Sequence, residues 1–138
     1  MPTIQCPCGS VRVALEGEPV AQFYCHCDDC QRVHGAAYVP IAMYRAEQVE
    51  VLSGAASACA WALRATPRTT CRECGARVFA EPPGLGMRGV TATLLPEGAF
   101  KPQFHMQCQH ARLPVKDGLP HFRGFPAAFG GSDDVVGW

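Results

Sequence analysis

Two short cysteine pairs constrain this chain more than any other feature. "CPCG" carries Cys6 and Cys8, and "CRECG" carries Cys71 and Cys74. Each is a tight turn that presents two sulfurs to one point, and the glycine that follows, Gly9 or Gly75, lets the backbone close around a metal. Together the pairs make one complete tetrahedral four-sulfur site. Because 62 residues separate Cys8 from Cys71, a metal held there closes a long loop and ties the N-terminus to the middle of the chain. The role expected of this site is structural.

A third cluster holds three thiols. "FYCHCDDCQR" spaces Cys25, Cys27 and Cys30 as C-x-C-x-x-C, with no fourth cysteine nearby. Structural zinc sites close with four protein ligands, whereas catalytic ones keep three and leave a position for water or substrate. Three thiolates fit the second description, and the alternative is a second structural site completed by Cys59, Cys108 or a histidine. Cys59, in the alternating stretch Cys59, Trp61, Leu63, is expected to be a buried small hydrophobe. Cys108, beside His105 and His110 in "FHMQCQH", is open to three readings: core residue, fourth ligand or redox thiol.

Nine cysteines are an odd number, and their clustering suits metal rather than a disulfide framework. The start "MPTIQCPCGS" has neither a basic segment nor a signal-like apolar run, and nowhere do about eighteen apolar residues run together. A soluble, cytoplasmic protein is expected. Lys plus Arg and Asp plus Glu balance at twelve each, so no long-range field would draw the chain to nucleic acid or an anionic membrane.

Twelve prolines and fourteen glycines break the sequence into short segments, which leaves room for strands rather than long amphipathic helices. "SVRVALEG" alternates Val11, Val13 and Leu15 with Arg12 and Ala14, and "PVAQFY" leads a second strand into the three-thiol cluster. Further strands are expected at "AAYVPIAMY", "VEVL", "SACAWALRA", "ARVFA", "VTATLL" and "FHMQCQ". Pro40 should confine the first of these to an edge or break it. One short helix should start near Asp28, whose side chain can cap it. Residues 1–122 read as one mostly β domain, and 123–138 as a tail laid over its surface.

The order C-x-C-G, C-H-C-x-x-C with a following arginine, C-x-x-C-G, and a late histidine-bearing strand ahead of "DGLP" resembles the glutathione-dependent formaldehyde-activating (GFA) family, the CENP-V/GFA domain. The likeness runs from about Ile4 to Phe122 with seven cysteines in register. It implies a β-tent fold of packed antiparallel sheets, a structural zinc on Cys6, Cys8, Cys71 and Cys74, and a catalytic zinc on Cys25, Cys27 and Cys30. It also implies carbon-sulfur lyase chemistry joining formaldehyde to glutathione as S-(hydroxymethyl)glutathione. Two segments depart from the family pattern: Val115 stands at its usual tryptophan, and "VTATLLPEG" places Ala92 and Thr93 where a glycine-containing turn is common.

A zinc with three thiolates carries a formal charge of minus one, so it suits a fourth thiolate better than a carbonyl oxygen. A thiol bound there would attack an aldehyde carbon, and the developing alkoxide would need a cation or proton. Arg32, His26 and His34 are the nearby candidates, with Arg32 the one assigned. Two readings from other classes stand beside this one: a non-catalytic protein-binding module of the same fold, and a methionine sulfoxide reductase-like enzyme using Cys108.

Overall fold

The computed structural model of the protein describes residues 2–138. The chain forms two compact units, one of residues 2–21 and 42–100, the other of residues 22–41 and 101–138. The architecture is mostly β, with one short α-helix among the described residues.

In the first unit, β1 (Thr3–Gln5), β2 (Arg12–Leu15) and β5 (Val49–Ser53) form an antiparallel sheet with β2 in the middle. The alternation read in the sequence places Val13 and Leu15 inward, and Ala14 is buried as well. A meander of β6 (Ala58–Leu63), β7 (Thr66–Cys71), β8 (Arg77–Ala80) and β9 (Met87–Thr91) completes the unit. Its core joins Ile4, Val11, Val13 and Leu15 to Val78, Phe79 and Val90, with Cys6 and Cys71 inside the same cluster. Burying an apolar side chain of this size is worth about 1.5–3 kcal/mol. The two sulfurs therefore sit where packing already holds the chain.

In the second unit, β3 (Ala21–Cys25, entering from the first unit at Ala21) pairs in parallel with β10 (Phe104–Met106), and α1 (Asp28–His34) follows β3 directly. β4 (Val39–Arg45) begins here and runs into the first unit. It continues unbroken through Pro40 and has strand neighbours on both sides, β3 and β9, so the expected edge or break is not found. Phe23 stacks on Phe104 at 5.2 Å between ring centroids, and Phe129 meets both edge-on.

Several expectations need correction. β7 was not foreseen, because Pro67 and a run of threonines disguise a strand whose last four residues are buried. β6 is a strand, yet Trp61 and Leu63 are exposed and Cys59 is only half-buried, so the alternating stretch does not face the core. "VTATLL" is strand only to Thr91 and then turns as a 3₁₀ segment. "FHMQCQ" is strand only to Met106, because Gln107 takes a left-handed φ of 58° and Cys108 opens a 3₁₀ turn.

Gly54 shows how closely the first cysteine turn is packed. Its φ is +83°, and a Cβ built on it would lie 1.7 Å from the Ser10 carbonyl oxygen. Backbone cannot yield as a flexible side chain does. Gly54→Ala is expected to lower stability by at least about 2 kcal/mol, read as a lower urea midpoint at unchanged m-value. An unchanged midpoint would show that the close approach is not a constraint.

Candidate metal centres and a buried histidine cluster

The four sulfurs that the sequence paired do converge. The ligand atoms of Cys6, Cys8, Cys71 and Cys74 lie within 4.8 Å of one another, with the Cys6–Cys8 and Cys8–Cys71 sulfurs 3.6 and 3.7 Å apart. Four Zn–S bonds of 2.3 Å in a tetrahedron put sulfurs about 3.8 Å apart, so the donor set fits zinc. Gly9 and Gly75 both take positive φ, 79° and 77°, and their amides bond back to the carbonyls of Cys6 and Cys71. Hydrogen bonding with the Ser10 side chain and backbone lowers the Cys8 thiol to about 6, which favours the thiolate a metal requires.

The second cluster forms where β3 passes into α1. Cys27, not Asp28, is the N-cap: its backbone is extended and its Sγ accepts the Cys30 amide at 3.2 Å. Asp28 and Asp29 occupy the first turn, Arg32 and His34 the last, and Gly35 ends the helix in the left-handed conformation, each where the helix dipole or cap geometry favours it. This turn of helix carries Cys30 back toward Cys27. The ligand atoms of Cys25, Cys27 and Cys30 lie within 4.8 Å of one another, and among the described residues neither Cys59, Cys108 nor any histidine joins them. Hydrogen bonding with Cys27 and Cys30, then burial, pushes the Cys25 thiol well above its ordinary value. The crowded Cys25 thiol resists losing its proton without a cation, and an all-sulfur set suits zinc.

The other expected residues are distributed differently. Arg32 is largely exposed and lies 3.8 Å from Asp28. It lines an open cleft of about 370 Å³ with Gln31, Gly35, Ala36, Ala37 and Arg112. Cys108 is buried, and burial raises its thiol to about 11, the reverse of what a redox nucleophile needs. That removes the chemical basis of the reductase reading. His26 neither points outward nor joins the thiols.

It belongs instead to a group that the sequence did not reveal. His26 Nε2 lies 2.8 Å from His105 Nδ1, and His105 Nε2 lies 2.6 Å from Asp117 Oδ2. His121 stacks on His105 at 4.3 Å, and Tyr38 and Trp138 pack against the His26 ring. His26, His105 and His121 are all buried. β10 supplies His105, and the segment after Asp117 runs beside it, with the His105 amide on the Pro120 carbonyl and the Phe122 amide on the His105 carbonyl. Burial lowers the His26 imidazole to about 4 and lowers His105 despite the hydrogen bond to Asp117. Burial alone would raise Asp117, but hydrogen bonds from His105 and the Leu119 amide outweigh it and hold the carboxyl below its usual range.

His105, Asp117 and His121 also offer a possible cation site, since their ligand atoms lie within 4.8 Å. The 2.6 Å contact is that of a charge-assisted hydrogen bond. A nitrogen and an oxygen bound tetrahedrally to one zinc at about 2.0–2.1 Å would be roughly 3.3 Å apart. Hydrogen bonding is therefore the better description.

Among the described residues, no helix is long and apolar enough to cross a membrane. The chain is similar in fold to a crystal structure of a Rhodobacter sphaeroides protein, at 24% identity and a TM-score of 0.59, over 70% of this chain and 89% of that one. No curated protein matches it. The model of the family described as "Glutathione-dependent formaldehyde-activating enzyme" matches residues 1–110. With its cysteines gathered into a four-sulfur and a three-sulfur cluster, this chain belongs to the glutathione-dependent formaldehyde-activating family.

Proposed function

We propose that this protein is a cytoplasmic, zinc-dependent enzyme of the carbon-sulfur lyase type, acting on a small thiol such as glutathione and an aldehyde. In this reading Cys6, Cys8, Cys71 and Cys74 hold a structural zinc, while Cys25, Cys27 and Cys30 hold the catalytic one. Residues 1–122 form the enzymatic domain and 123–138 a tail, whose Trp138 packs on His26 and His121. The observation that carries the reading is a three-sulfur cluster without a fourth protein ligand among the described residues, in a member of this family.

Zinc held by three thiolates supplies a place for a fourth sulfur and lowers the pKa of the thiol it takes below roughly 8.5. The chain's own groups do the rest. Arg32 and Arg112 place two guanidinium groups around the cleft next to α1, suited to the carboxylates of a thiol peptide or to a developing alkoxide. Gln31 Oε1 accepts from Arg112 Nε at 2.6 Å and so orients that guanidinium before a ligand arrives. In the forward direction the thiol loses its proton, a carbon-sulfur bond forms as the aldehyde C=O becomes C–O, and the oxygen gains a proton. The reverse steps cleave the adduct.

Exchange spectroscopy on glutathione mixed with ¹³C-formaldehyde tests this directly. The protein is expected to raise the interconversion rate of free thiol and hydroxymethyl adduct above the spontaneous rate. An unchanged rate with fully metallated protein would sink the enzymatic reading. The protein-binding module would then gain, and the exposed Trp61 and Leu63 on the uncharged strand β6 favour it specifically.

A further inference from the structure

The contacts from Asp117 to His26 have a direction. A carboxylate can only accept hydrogen bonds. Asp117 Oδ1 takes the Leu119 amide at 3.1 Å, and Oδ2 faces His105 Nε2, so His105 must carry its proton on Nε2. His105 Nδ1 is then a bare lone pair, and the 2.8 Å contact makes His26 Nε2 the donor. With a single proton on each ring, these contacts have one solution. His26 Nδ1 ends the chain as a buried acceptor with no hydrogen-bond partner in the protein among the described residues.

His26 is also fixed through its backbone. Its amide donates to the Met106 carbonyl at 3.0 Å, and its carbonyl accepts from Gln31 Nε2 at 2.7 Å. The same Gln31 nitrogen donates to the His110 carbonyl at 2.9 Å. Cys25 and Cys27 flank His26, so whatever fixes this residue fixes the separation of the first two sulfurs. Partners behind a metal's ligands commonly set their geometry in this way.

We propose that Asp117 and His105 are positioning residues for the three-thiol centre: they decide which nitrogen of His26 carries the proton, and so hold the Cys25–His26–Cys27 turn in the form that gathers the sulfurs. This rests on the metal proposed at that centre, but not on the identity of the thiol substrate. The imidazole tautomers can be read without metal or substrate.

Asp117→Asn gives a sharp test, because the Leu119 amide still requires an acceptor at the Oδ1 position. The carbonyl end of the asparagine must stay there, which turns its NH₂ toward His105 Nε2. His105 can then only accept at Nε2, so its proton moves to Nδ1, and His26 must follow in turn. Imidazole ¹⁵N spectra are expected to show His105 and His26 as Nε2–H tautomers in the unaltered protein and as Nδ1–H tautomers in the variant. The affinity of the three-thiol centre for Co²⁺, followed by its thiolate charge-transfer band after selective stripping, should fall about 10–100-fold. Asp117→Glu should restore both readouts.

An Nδ1–H His26 in the unaltered protein, an uninverted His26 in folded Asp117→Asn, or unchanged Co²⁺ affinity in that variant would each overturn the proposal. If Asp117→Asn does not fold, the unaltered spectrum and Asp117→Glu decide. A three-thiol centre that takes no Co²⁺ even in the unaltered protein would instead overturn the metal reading on which the proposed function stands.

Discussion

Replacing Cys71 with serine is expected to leave the protein insoluble or without a cooperative melting transition. The sulfur belongs to the four-cysteine cluster and to the core of the first unit at once, with Cys6 and Cys71 both fully buried. Structural zinc contributes apparent free energies of about 10–16 kcal/mol in small zinc-finger systems, and a typical domain is stable by only about 5–15 kcal/mol. Loss of one ligand should therefore exhaust the stability of the fold. Cys71→Ser alone does not separate metal loss from the cost of a hydroxyl in an apolar core. Cys8 and Cys74 are exposed, so Cys8→Ser or Cys74→Ser removes a ligand with little disturbance of packing. Circular dichroism melts with metal analysis on all three variants check the prediction. A Cys74→Ser protein with an unaltered melting temperature and its metal retained would rule out the structural assignment.

The second large effect is expected at Cys27, and it should be functional rather than structural. Cys27 caps α1 through its sulfur, and serine is among the best N-caps. Cys27→Ser should keep the helix while removing a thiolate. The melting temperature should stay within a few degrees, as about 1 kcal/mol moves a domain of this size by roughly 2–8 °C. Metal affinity at the three-thiol centre and calorimetric binding of glutathione should each fall by more than about 100-fold. Mild chelation of the unaltered protein should remove this metal first and leave the fold intact. If both metals leave together as the protein unfolds, the second centre is structural.

S-methylglutathione serves as the control in the same experiment, because it keeps the peptide but supplies no thiolate. Equal binding of the two would show that sulfur coordination is not the basis of recognition. If neither binds, Ala92 and Val115, which depart from the family pattern, become the places to look for a different thiol partner.

The sequence by itself determined what depends on neighbouring residues. The cysteine pairs, their glycines, and the helix signals between Cys27 and Gly35 are all encoded within a few positions, so the two sulfur clusters and the mostly β class were legible before any coordinates. Even Cys8 and Cys71, far apart along the chain, could be joined, because each pair announces half of one tetrahedron. The histidine cluster carries no such announcement. His26, His105 and Asp117 meet because β3 lies parallel to β10 and the segment after Asp117 runs beside it, and strand order is not written in local spacing. Asp117 and His121 are four residues apart, but Gly118 and Pro120 between them give no helical reason to expect a shared face. Burial was also decided late. An alternating strand specifies two faces without saying which meets the core, which is why Trp61 and Leu63 lie exposed while Cys108, beyond the end of its strand, is buried. Local chemistry gathered the cysteines, and tertiary packing gathered the histidines beside Asp117.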